Sequence, residues 1–174
     1  AVAERIIENE TDEVPEFPGI LQQIMLTALS DAKKKLEAGE EVVPFTALAV
    51  KDKLFVETHP GDDADQCLAY ARHTVQNATG ADGYALCYDG FLDTEEGKLD
   101  ALIAEGGVPG ELMGYAIGCL YEAPEGENAE APKVTSDPFY IGPAPNFMML
   151  TGVEVPEVEE AAAEDAQESE TAEE

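Results

Sequence analysis

Between Met113 and Tyr121 the side chains alternate without a break. Met113, Tyr115, Ile117, Cys119 and Tyr121 fall on one side of an extended chain, and Gly114, Ala116, Gly118 and Leu120 fall on the other. A period of two marks a strand, because the faces of a helix repeat every 3.6 residues. The second side carries so little bulk that a helix packed across the sheet is expected to approach it closely.

The segments before this strand supply the rest of the layer. Leu21, Ile24, Met25, Ala28, Leu29, Ala32 and Leu36 recur at three- and four-residue steps, so residues 20–36 read as a helix. Pro18 before it and Gly39 after it suit the two helix ends, and Lys33, Lys34 and Lys35 sit where the helix dipole favours cations. The period then changes to two. Residues 42–50 and 54–58 read as a hairpin about Lys51-Asp52-Lys53, with Pro44 marking a strand start or an edge. After Pro60-Gly61, Asp62 or Asp63 can cap a second helix that buries Cys67, Leu68, Ala71 and Val75 and stops at Thr79-Gly80. Strands are expected over residues 83–92, 98–105 and 112–122. The fold class that follows is α+β: an antiparallel sheet of about five strands with two helices on one face, in the order α-β-β-α-β-β-β.

Charge sets the ends apart. The chain of 174 residues holds 38 acids against nine Lys and Arg, a net charge of −29. Residues 154–174 contain ten of those acids and no base, so residues 151–174 are expected to form a disordered acidic tail. Residues 1–15 read as a flexible acidic segment, leaving one domain over residues 16–150. Within it, residues 123–150 are rich in Pro but carry the apolar clusters Phe139-Tyr140-Ile141 and Asn146-Phe147-Met148-Met149-Leu150, expected to lie on the core or on a partner.

Such a field opposes direct nucleic-acid binding, which relies on Lys and Arg, and opposes docking on an anionic membrane. No segment is apolar for long enough to span a bilayer, and the first residues do not resemble a secretion signal. Cys67, Cys87 and Cys119 have neither metal-type nor paired spacing and sit in apolar patterns. They read as buried reduced thiols, which favours a cytoplasmic location.

Chemistry is sparse. His59-Pro60-Gly61-Asp62-Asp63 places an imidazole and two carboxylates at a strand-to-helix corner, as a base or a metal ligand would need. The same residues also suit a turn and a helix cap. Glu105 is a further carboxylate candidate, able to meet Asp89 or Asp100 only across the sheet. Asp89, Asp93, Glu95 and Glu96 fail the calcium-loop pattern, because Phe91 and Thr94 occupy positions that need an oxygen ligand and a glycine. No nucleophile elbow or phosphate loop is present, and no cofactor or metal is expected. Tyr115, Tyr121, Phe139, Tyr140 and Phe147 are the binding candidates, as aromatic anchors or as a groove floor.

The preferred reading is a non-enzymatic protein-interaction or regulatory module with a strongly acidic surface and a protein partner, a basic one being favoured by the field. The alternative is a metal-binding or small-molecule-binding protein, or a hydrolase-like enzyme, using His59 with nearby carboxylates. A further alternative is a nucleic-acid mimic that occupies a DNA- or RNA-binding protein through its ordered acids.

Overall fold

The computed structural model of the chain describes residues 3–6, 16–51, 53–78, 80–126 and 130–148. The expected helices are α1 (Gly19–Glu37) and α2 (Ala64–Gln76), and the five expected strands are β2 (Phe45–Val50), β3 (Lys53–Thr58), β4 (Gly83–Thr94), β5 (Gly97–Gly107) and β6 (Met113–Glu122). Three more strands join them: β1 (Ala3–Ile6), β7 (Lys133–Val134) and β8 (Phe139–Pro145). The expected acidic tail and the remainder of residues 1–15 lie outside the described residues.

The strands run in the order β3-β2-β4-β5-β6-β7, with every neighbouring pair on that path antiparallel. Two edges are shared. Along β4, residues 83–87 pair with β2 while residues 90–93 pair in parallel with β1. Along β6, residues 113–118 pair with β8 while residues 121–122 pair with β7. β8 exceeds the expected strands because Pro143 and Pro145 look like loop residues. They are tolerated because, among the described residues, β8 pairs only with β6, and a strand unpaired on its other side can lack donors there.

The helices cover opposite faces, which corrects the expected single-faced arrangement. Leu21, Met25, Ala28, Ala32 and Leu36 of α1 pack with Phe45, Ala47, Ala85, Cys87, Leu102, Ala104 and Cys119. Ala71 of α2 packs with Leu86, Tyr88, Ala101, Ile103 and Ala116, and Val75 with Tyr84 and Met148. Successive residues of a strand point to opposite sides, so Ala85 and Cys87 face α1 while Tyr84, Leu86 and Tyr88 face α2. Burial is accordingly continuous from Gly83 to Tyr88 and from Ala101 to Gly107, as expected of strands covered on both sides.

On the glycine face of β6, Ala116 shares a cluster with Ala71 of α2, but no helix reaches the glycines themselves in the close contacts they make. α1 lies over its large-residue face, and the side chain of Ile141 from β8 closes on Gly118, within 2.8 Å of where a Cβ would stand. The close approach of α1 occurs instead over Gly83 and Gly106, beneath Ile24, Leu21 and Met25.

Local chemistry fixes the element ends. At the end of α1, Gly39 adopts φ +80° and its N–H donates to the Leu36 carbonyl, a left-handed stop that glycine permits without strain. Asp63 caps α2, its side chain accepting the Gln66 N–H at 2.8 Å. The tip of the β2–β3 hairpin is tied to the loop before β4: the Lys51 N–H donates to the Asp82 carboxylate at 2.9 Å, and the Asp82 N–H to the Ala49 carbonyl at 2.7 Å.

Candidate functional site

His59 follows β3 and turns inward. It is buried, its Nε2 lies 2.8 Å from the Thr46 hydroxyl of β2, and its Nδ1 lies 4.0 Å from the exposed Glu57 carboxylate. A neutral ring with its proton on Nδ1, toward Glu57, would let the Thr46 hydroxyl donate to Nε2. Asp62 and Asp63 serve the helix start: Gln66 receives the Asp62 N–H on its side-chain oxygen at 2.5 Å and gives its own N–H to Asp63. The contact made by His59 is with Thr46, a residue whose role the sequence did not signal. Among the described residues, no group of three or more His, Cys, Asp or Glu is placed to hold a metal ion.

Burial lowers the His59 pKa from its ordinary 6.5, opposed by the nearby Glu57 charge. The folded imidazole therefore resists a proton that the unfolded chain takes up near pH 6.5. Stability from this group is complete above that pH and declines as the pH falls below it. Urea midpoints followed from about pH 7.5 to about pH 5, a range above most carboxylate titration, should fall in the wild type and fall less in His59→Gln. Equal slopes for the two proteins would place the imidazole in water.

Glu105 lies on the α2 face and is buried, with the Tyr88 hydroxyl donating to its Oε2 at 2.5 Å. The pairings Thr46–Leu86 and Leu86–Glu105 put Thr46, Leu86 and Glu105 in one row across three strands. Two strand spacings, roughly 9–10 Å, therefore separate the Thr46 and Glu105 backbones, and Leu86 fills the position between them. His59 and Glu105 share a face of the sheet but not a contact row. Asp89 points the other way, where its carboxylate accepts the Tyr121 hydroxyl at 2.6 Å. Burial and the Asp89 charge hold that phenol far above its ordinary range.

The five aromatic candidates separate into three places. Tyr121 is buried in the α1-side core. Phe147 is half-buried on the α2 side, stacked on Tyr84 with ring centroids 5.8 Å apart and with the Arg72 guanidinium 5.1 Å from its ring. Phe139 also packs on the α2-side core, while Tyr115 and Tyr140 gather where the start of β8 meets α1. Here Phe17, just before the helix, packs against Tyr115 at 4.4 Å between ring centroids and meets Tyr140 edge-on at 5.9 Å.

Beside this cluster lies an open groove of about 470 Å³, lined by Glu16, Phe17, Gln22, Leu26, Ile117, Pro138, Phe139 and Tyr140. Its lining mixes apolar and polar groups: Leu26 remains 39% exposed, and Glu16 and Gln22 border the same space. Phe17 and Leu26 were not singled out from the sequence: a Phe before Pro18 and one extra Leu on a helix carry no signal until the topology sets them opposite β8. Chemically the groove can take an apolar side chain and hold a cation near its rim. The chain matches no family model, no curated protein and no solved structure.

Proposed function

We propose that this is a non-enzymatic interaction module that takes an apolar anchor residue of a basic protein partner into the groove between α1 and β8. The observation that carries the reading is the aromatic-lined groove itself, with Phe17, Phe139, Tyr140 and Leu26 around an accessible floor. Buried aromatic pockets are where a few partner side chains contribute most of the affinity. The net charge of −29 adds the selection: it speeds encounter with a positively charged protein and repels polyanions. The buried, free thiols Cys67, Cys87 and Cys119 support a reducing compartment, so the proposed place of action is the cytoplasm.

An array of peptides, each with one aromatic or branched apolar residue flanked by Lys or Arg, tests this with the full chain as labelled probe. Binding is expected to such peptides and to be lost when the anchor becomes Ser or the bases become Glu. Leu26→Glu should abolish the signal while changing stability by no more than about 0.5 kcal/mol, because the side chain is already partly in water. Equal binding by the wild type and Leu26→Glu would sink the groove as the site.

A further inference from the structure

The β3 edge of the sheet is finished differently from the β8 edge. β8 carries Pro143 and Pro145, which remove backbone donors from its outer side. Among the described residues β3 pairs with β2 alone and is exposed along its whole length, with Leu54, Phe55 and Val56 at 40%, 53% and 50% exposure. Three consecutive large apolar residues on an open edge are a template for another strand.

Backbone direction and side-chain order identify that strand. The His59 N–H donates to the Pro44 carbonyl, so in the antiparallel ladder Lys53, Phe55 and Glu57 also turn their backbone groups toward β2. Leu54, Val56 and Thr58 turn theirs toward the open edge. The run Lys53-Leu54-Phe55-Val56-Glu57 is self-complementary when read antiparallel about its centre.

We propose that two copies of this chain pair through β3, antiparallel about a two-fold axis at Phe55. Leu54 then exchanges backbone hydrogen bonds with Val56 of the partner subunit, and Phe55 lies opposite Phe55 of the partner subunit. Lys53 lies opposite Glu57 of the partner subunit, and the symmetry repeats each contact, as a closed dimer requires. Sliding the strands by two residues either way sets Phe55 against a charge and breaks the ion pairs. Flanking charges usually protect an edge by repelling its like; here they are opposite and equidistant from the centre, so they attract. The surplus negative charge elsewhere opposes association, but at about 0.15 M salt charges more than about 8 Å apart are largely screened. The interface lies at the other end of the sheet from the groove and does not depend on what the groove binds.

Sedimentation equilibrium of the full chain at that salt concentration tests the pairing. The wild type should dimerise, and Lys53→Glu or Glu57→Lys should each weaken the dimer by about tenfold or more, since two ion pairs become two repulsions. The double variant Lys53→Glu/Glu57→Lys restores every pair and should return to within about threefold of the wild type. Circular dichroism confirms folding of each variant, which is expected because these side chains are exposed. In Phe55→Cys the new thiol meets its own copy, at about the 4.5 Å Cα separation of a non-hydrogen-bonded pair, and mild oxidation should give a covalent dimer. A wild type that stays monomeric overturns the proposal. A dimer that the double variant does not rescue, or that Phe55→Cys does not cross-link, overturns it equally.

Discussion

Phe45→Ala is expected to destabilise the protein by about 3–5 kcal/mol, read as a fall in the urea midpoint at unchanged slope. Phe45 is 1% exposed, belongs to the α1-side core and lies opposite Cys87 in the β2–β4 pairing. The Lys35 ammonium sits 5.0 Å from its ring centroid, adding a cation–π attraction that Ala also loses. The walls of the resulting cavity are the helix and the middle of the sheet, which cannot collapse without giving up their own packing. Against a total stability of about 5–15 kcal/mol for a typical domain, such a loss leaves a large unfolded fraction at physiological temperature. Phe45→Leu keeps most of the volume and should cost less than half as much. A loss below about 1 kcal/mol for Ala would mean that α1 does not lie against β2 as described.

Gly106→Val should cost about 3 kcal/mol or more by the opposite route, overfilling the same interface. A Cβ at this position would stand 2.4 Å from the Tyr84 carbonyl oxygen, 3.0 Å from Leu21 Cδ1 and 3.2 Å from Met25 Cγ. The nearest of these is backbone held in the β4–β5 ladder, so it has no rotamer into which to retreat. Trimming the helix side chain should therefore fail to rescue: Gly106→Val/Leu21→Ala is expected to be less stable than either single variant. Recovery in the double variant would show that helix bulk, and not the paired strand, sets the limit at Gly106.

Much of the architecture was legible locally. The seven apolar positions that recur at helical steps over residues 20–36 are the ones α1 buries, and Asp63, one of two residues read as a cap, is the N-cap of α2. The five strands expected from the sequence are β2 to β6. β8 was hidden because two prolines interrupt its pattern, and β7 because two residues carry no period. The unbroken apolar runs 84–88 and 101–104 were a usable sign that both faces of the sheet are covered, since a strand with one wet face alternates. At the proposed binding groove, Phe139 and Tyr140 were visible as aromatics, while Phe17 and Leu26 became members only through their neighbours.

Residue order thus marked both helices and five of the strands, because periodicity belongs to one continuous stretch of backbone. Tertiary structure alone decided that the helices take opposite faces, that Thr46 partners His59, and that, among the described residues, β3 has no second neighbour. Those outcomes depend on which strands become neighbours, and a pairing such as Phe45 with Cys87 joins β2 to β4 across the whole of β3 and α2, a relation no local pattern encodes.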